Sequence, residues 1–263
     1  MDELLKQVLA IANEAGDAIM KIYGNEYRVD IKEDHSPVTE ADYAAHHVIL
    51  TGLQALQEKL PVLSEEDTGQ FVGVSDSQRY WLVDPLDGTK EFIKKNDEFT
   101  VNIALIEDGS PILGVVCVPA LSVAYVAAKG KGAYKIDRHG HRQPLSIAGS
   151  TKHPEVWRVV SSRSHKSPEL YDWLSQLGKY EISLVGSSLK FCLIAEGSAD
   201  VYPRFGPTCL WDTAAAQVII EEAGGSVQAM GGGPLRYGNP VEIINPSFVV
   251  WGAAKIDIHR MLS

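Results

Sequence analysis

The stretch Trp81-Leu82-Val83-Asp84-Pro85-Leu86-Asp87-Gly88-Thr89 constrains this chain more than any other. An apolar strand runs into two carboxylates three residues apart, is broken by Pro85, and ends in Gly88 and Thr89, where a helix can begin. A fold containing it must bring a buried strand end, two acids and a helix start to one place. Such an arrangement suits a hard, oxygen-seeking cation, because Mg²⁺ takes carboxylate and carbonyl oxygens at about 2.0–2.1 Å. The Leu86 carbonyl could be a further ligand, and the amides of Gly88 and Thr89 would face an anion. Taken alone, the pair reads more plainly as an Asp-Pro turn with a capping Asp.

The pair has company. Leu63-Ser64-Glu65-Glu66-Asp67 follows a short apolar run, and Asp212 follows Trp211 where a helix is predicted to start. Singly, Glu65 reads as part of a solvated acidic turn and Asp212 as a helix cap; jointly with Asp84 and Asp87 they read as a cation site.

Hydrophobic periodicity places these residues. Leu4, Leu5, Val8, Ile11, Ala12, Ala15, Ile19 and Ile22 recur at three- and four-residue steps, which predicts an opening helix ended by Gly24. A second helix begins after Thr39, its predicted cap, so Asp42 falls in the first turn. Its plainer reading is an acid favoured by the helix dipole. Short β-branched and aromatic runs at 81–83, 100–106, 112–118 and 123–127, with Asp108-Gly109 as a hairpin signal, predict a largely antiparallel sheet. After residue 150 strand and helix patterns alternate, which favours an α/β unit. The expected division is therefore an N-terminal α+β lobe, 1–150, with most of the acids, and a C-terminal lobe, 151–263.

Composition excludes several classes of function. The 263 residues suit one or two compact units. With 24 basic and 34 acidic side chains the formal charge is −10, which repels a polyphosphate backbone, so no nucleic-acid polymer is expected as partner. Cys117, Cys192 and Cys209 lack zinc-site spacing and read as reduced thiols in a cytosol. Met1-Asp2-Glu3 leads straight into the amphipathic pattern, without the basic start of a secretory signal. No transmembrane segment is expected, since no run approaches about 18 apolar residues.

The blocks Ser64-Glu65-Glu66, Asp84-Pro85-Leu86-Asp87-Gly88-Thr89 and Trp211-Asp212-Thr213-Ala214-Ala215, in that order along nearly the whole chain, resemble the lithium-sensitive, magnesium-dependent phosphomonoesterases that include inositol monophosphatase. The resemblance implies an α+β fold, the layered αβαβα sandwich of the inositol monophosphatase and fructose-1,6-bisphosphatase type. It implies a first Mg²⁺ on Glu65, Asp84 and the Leu86 carbonyl, a second on Asp84, Asp87 and Asp212, and a third, weaker ion at Asp42. It also gives Asp42 and Thr89 the task of orienting the attacking water, and implies inhibition by Li⁺. No covalent phosphoenzyme is expected, because neither a cysteine nor a serine elbow accompanies the acids.

Lys90-Glu91-Phe92, Ser187 to Cys192 and Tyr202 to Pro207 are similar to the bisphosphate nucleotidase branch. On that resemblance Gly88 and Thr89 contact phosphate, while His165, Ser187, Lys190 and Arg204 line a nucleotide site, Arg204 gripping the second phosphate. Plainer readings are a surface histidine for His165, a cap for Ser187 and a solvated helix residue for Lys190. Ala216 stands where many relatives carry Gly, a change expected to affect packing only. The implied reaction is hydrolysis of 3′-phosphoadenosine 5′-phosphate to AMP and phosphate, clearing a by-product of sulfate assimilation, with its sulfated precursor as a second substrate. Inositol or broader sugar phosphatase activity is the first alternative, and a non-catalytic nucleotide sensor the second. The resemblance further implies a monomer or homodimer located in the cytoplasm, free or loosely held at the inner face of the inner membrane.

Overall fold

The computed structural model describes residues 2–32, 36–74, 78–147, 154–163, 167–238 and 240–253. In chain order the elements are α1 (Glu3–Tyr23), β1 (Val29–Ile31), β2 (Pro37–Thr39), α2 (Glu40–Ala55), β3 (Val62–Ser64), β4 (Arg79–Asp87), α3 (Thr89–Ile93), β5 (Thr100–Glu107), β6 (Ser110–Val118), β7 (Val123–Ala128), β8 (Ala133–Asp137) and β9 (Arg142–Leu145). There follow β10 (Trp157–Ser162), α4 (Pro168–Ser175), β11 (Tyr180–Val185), α5 (Leu189–Ala195), β12 (Val201–Arg204), α6 (Ala214–Glu222), β13 (Ser226–Ala229) and β14 (Phe248–Trp251).

β3 to β9 form a seven-stranded sheet in sequence order, antiparallel except where β3 runs parallel to β4. The Asp108-Gly109 hairpin joins β5 to β6, both residues left-handed at φ 49° and 69°, the geometry a tight hairpin turn needs. The second sheet has the order β11-β10-β12-β14-β13. Its first three strands are parallel, as the strand–helix alternation predicts. β14 is antiparallel to both neighbours. Sequence periodicity leaves out β13 and β14, because a four-residue run has too little length to show a period and is placed by its distant partners.

Parity along the strands divides the core into layers. Trp81 and Val83 of β4 face α1 and α2, joining Leu5, Ala12, Ile19 and Ile49. Tyr80 and Leu82 face the opposite way, into a core shared with α5, α6 and one face of the second sheet, including Phe191, Ile219, Tyr202 and Phe248. The far face of that sheet, Val159, Val201, Val249 and Trp251, packs on Trp173 and Leu174 of α4. The result is the αβαβα order: a helix pair, a sheet, a helix pair, a sheet and a helix. Contact across the middle is close. A Cβ at Gly114 of β6 would lie 2.2 Å from the Ala215 carbonyl oxygen of α6, so only glycine fits there. The expected lobe boundary at 150 lies outside the described residues; the first sheet ends at Leu145 and the second begins at Trp157.

Candidate active site

β4 does not break at Pro85 but continues to Asp87. Asp84 pairs with Asn102 and Asp87 with Thr100, so three steps on β4 oppose two on β5, a bulge. Residues three apart on a regular strand face opposite sides; the extra residue resets the alternation. Asp84 and Asp87, with Asp212 from the 3-10 turn Leu210–Asp212, each bring a carboxylate oxygen within 4.8 Å of the others. Gly88 then turns left-handed, φ 96°, and starts α3, where a Cβ would lie 3.1 Å from the Glu98 carbonyl oxygen.

Four aspartates are each held by a backbone amide through one oxygen. Asp42 accepts from Thr39 N at 2.7 Å, Asp84 from Leu86 N at 3.1 Å, Asp87 from Ser188 N at 2.6 Å and Asp212 from Cys209 N at 2.8 Å. Asp42 is thus a structural cap, closing a capping box with Thr39. Its other oxygen accepts the Thr89 hydroxyl at 3.0 Å, so the capping contact leaves one oxygen bonded to Thr89. Thr89 Oγ1 also lies 3.4 Å from the Leu86 carbonyl oxygen. Asp212 holds the turn before α6, while Thr213 takes the cap position of that helix.

Burial raises Asp84, Asp212 and Asp42. Asp84, 1% exposed, is pushed well above the carboxylate range by burial and by Glu65, Asp87 and Asp212. Asp212 is raised by burial, then by Asp87 and Glu65. Burial also raises Asp42, against the pull of its hydrogen bonds. Glu65 lines the same cavity, but its Oε1 accepts Lys32 Nζ at 2.8 Å, and it is not in the carboxylate trio. Lys32 Nζ also donates to Glu66 at 2.7 Å, yet burial still pushes Glu66 up to about 7. Sequence reasoning missed Lys32, whose only signal was a cation close before the second helix.

The cavity, about 410 Å³, is lined by Glu65, Asp84, Leu86, Asp87, Gly88, Thr89 and Asp212, and also by Ser187, Lys190 and Arg204. Lys190 is not solvated. It is 5% exposed, donates to the Ser187 carbonyl at 2.5 Å, stands 5.3 Å from the centre of the Tyr202 ring and is lowered by burial to about 8. Arg204, 7% exposed, gives Nη2 to the Pro207 carbonyl at 2.8 Å, while its buried Nε has no partner. Ser187 is left-handed at φ 47° and its hydroxyl accepts Leu189 N at 3.3 Å, the cap-like contact of its plainer reading. His165 lies outside the described residues. Cys117 and Cys192 form no disulfide, and burial raises Cys117 to about 12, where a thiol is no nucleophile at neutral pH.

The donor set fits a hard cation. Three carboxylates face one another, burial and neighbouring acids raising Asp84 and Asp212, and an oxygen-only set calls for a hard divalent ion.

The pattern of the inositol monophosphatase family matches residues 1–259, and the chain belongs to that family. Among curated relatives, the 3′(2′),5′-bisphosphate nucleotidase CysQ of Escherichia coli K12 is 51% identical over 249 residues, covering 94% of this chain and 99% of that protein. The Haemophilus influenzae protein of the same name is 36% identical, covering 97% and 95%. The crystal structure of CysQ from Bacteroides thetaiotaomicron matches with a TM-score of 0.80 at 39% identity, over 95% of this chain and 97% of that one. An inositol monophosphatase from Anabaena shares the fold at a TM-score of 0.76 and 24% identity, over 98% and 94%. Among the described residues no helix is long and apolar enough to cross a membrane.

Proposed function

We propose that the chain is a magnesium-dependent phosphomonoesterase that hydrolyses 3′-phosphoadenosine 5′-phosphate to AMP and phosphate, with 3′-phosphoadenosine 5′-phosphosulfate as a second substrate. The names of the relatives support a bisphosphate nucleotide. The observation that carries the reading is one cavity lined by the Asp84–Asp87–Asp212 trio and by two buried cations, Lys190 and Arg204. A substrate with two phosphates answers both: one phosphate is cleaved at the acids and the other is held by Arg204, whose free Nε and planar fork suit an anion.

In this reading Glu65, Asp84 and the Leu86 carbonyl would hold one Mg²⁺, and Asp84, Asp87 and Asp212 a second, with a weaker site at Asp42. Mg²⁺ supplies charge to the phosphoryl oxygens and acidifies water. The chain's own groups do the rest. Thr89 donates its hydroxyl proton to Asp42, so its oxygen lone pairs are free to accept from the attacking water and orient it. Thr89 N, in the first turn of α3, has no carbonyl of its own helix to bond and can donate to phosphate, beside Gly88. Water oxygen bonds to the 3′ phosphorus, the bond to the ribose 3′ oxygen breaks, and that oxygen takes a proton. Ser187 and Lys190 line the nucleotide side, and His165 is assigned there as well. Li⁺ would inhibit by competing for an oxygen site. The buried thiols of Cys117 and Cys192, which form no disulfide, support a reducing, cytoplasmic setting.

Phosphate release measured on the bisphosphate nucleotide and on inositol 1-phosphate, with and without Mg²⁺, tests the reading. The expected result is Mg²⁺-dependent release with the higher kcat/KM on the nucleotide. Preference for inositol 1-phosphate would make the chain a sugar phosphatase, and nucleotide binding without release would make it a sensor.

A further inference from the structure

Ser188 sits where three parts of the site meet. Its backbone N and its Oγ both lie 2.6 Å from Asp87 Oδ2, its Oγ lies 2.8 Å from the Asp212 carbonyl oxygen, and Asn102 Nδ2 donates to that Oγ at 2.9 Å. Asn102, 1% exposed on β5, also reaches Asp87 Oδ2 at 3.3 Å. Its orientation is fixed, since Oδ1 lies 3.1 Å from the Thr100 hydroxyl and only the amide nitrogen can face a carboxylate. Asp87 Oδ2 therefore faces four donors: the amide and hydroxyl of Ser188, the Asn102 amide and, at 3.5 Å, the Thr100 hydroxyl, which lies nearer Asn102 Oδ1. Among the described residues no hydrogen bond reaches Asp87 Oδ1.

We infer that Ser188 and Asn102 are positioning residues for the cation site: they commit Asp87 Oδ2 to the protein and leave Oδ1 as the oxygen Asp87 presents. The inference rests on the proposed metal reading and deepens it. A carboxylate free to rotate could offer an ion either oxygen or both, at an entropic cost paid on binding. Tied down as it is, Asp87 is set to bind through one oxygen before any ion arrives. The same hydroxyl touches the Asp212 backbone and opens α5, two residues before Lys190, so the cation site and the nucleotide side share one junction.

The test is titration calorimetry of the full chain with Mg²⁺ alone, beside its melting temperature without metal. Ser188→Ala keeps the backbone amide but removes the hydroxyl, and should weaken Mg²⁺ binding about 10- to 100-fold, the usual cost of losing such support. Asn102→Ala should weaken it less, and Ser188→Thr, which restores a hydroxyl, should bind close to the unaltered chain. In kinetics the loss should appear as a higher Mg²⁺ requirement, with kcat largely recovered at saturating Mg²⁺. A merely structural role would lower the metal-free melting temperature and leave Mg²⁺ affinity alone. Unchanged affinity in a folded Ser188→Ala chain overturns the inference; if that chain does not fold, unchanged affinity in Asn102→Ala does. Failure of the unaltered chain to bind Mg²⁺ is a separate result, which overturns the metal reading and this inference with it.

Discussion

The two sides of the cavity carry opposite charge, and Lys32 answers the acidic side only at Glu65 and its neighbour Glu66. On the acidic side Asp84, Asp212 and Glu65 are all raised, burial being the largest cause. On the basic side burial lowers Lys190 to about 8, and Arg204 keeps a buried Nε without a partner. The two sets line one cavity, yet no ion pair joins them among the described residues. A fold seeking only stability would pair such charges or replace them with apolar groups. In the proposed reading the difference has one explanation: a cation complements the acids and an anion the bases, which a metal with a bisphosphate would supply together.

The largest effect should come from the acidic side. Asp84→Asn removes the charge at the centre of the carboxylates with little change in shape. It should lower kcat/KM by roughly a thousandfold or more, because charge stabilisation by a bound metal contributes several kcal/mol. Substrate-independent Mg²⁺ binding should fall too. Ordinary turnover by the variant would show that the two sides do not depend on a cation at Asp84.

A smaller effect is expected opposite. Arg204→Ala should cost about 1.5–3 kcal/mol, roughly ten- to 150-fold in kcat/KM, through loss of charge-assisted contacts. The loss should fall on the bisphosphate and spare a simple monophosphate ester, measured side by side. Equal losses on both would mean that Arg204 supports the fold or the acids rather than a second phosphate.

The sides also differ in what the sequence could say. Asp84, Asp87 and Asp212 stand in short blocks whose composition announces them; Asp84 and Asp212 take amide support from Leu86 N and Cys209 N, two and three residues away, whereas Asp87 takes it from Ser188 N, 101 residues on. The α1 stripe and the Asp108-Gly109 turn are legible for the same reason: local spacing determines them. Residue by residue, Lys190 has the plainer reading of a solvated helix residue, because its burial depends on Tyr202 and on the packing of α5 against the second sheet; only the resemblance places it at the nucleotide. Asn102 looks like an ordinary strand residue until the β4 bulge places it under Asp87. The continuation of β4 through Pro85 was hidden too, since a proline reads as a break unless the partner strand is known.

The smallest effect separates the two sides by pH. A carboxyl raised by folding binds its proton more tightly in the native state than in the unfolded one, so its contribution to stability falls as pH rises past the unfolded value. For Glu66 that window runs from about 4.5 to about 7, and the raised Asp84 and Asp212 add to the fall. Lys190 has the opposite sign. Its native value of about 8 lies below the ordinary 10.5, so the unfolded chain binds the extra proton and stability recovers between those two pH values. Without metal, the melting temperature should therefore decline from pH 5 towards pH 7 and pass a minimum near pH 7–8. Glu66→Gln should shallow the acidic limb and Lys190→Met the alkaline one, each by on the order of 1 kcal/mol, or ~2–4 °C. Saturating Mg²⁺ should flatten the acidic limb alone, because it complements one side only. A metal-free melting temperature that rises steadily from pH 5 to pH 7 would mean the acids are not held as described, and a Lys190→Met chain with an unchanged alkaline limb would place that recovery elsewhere.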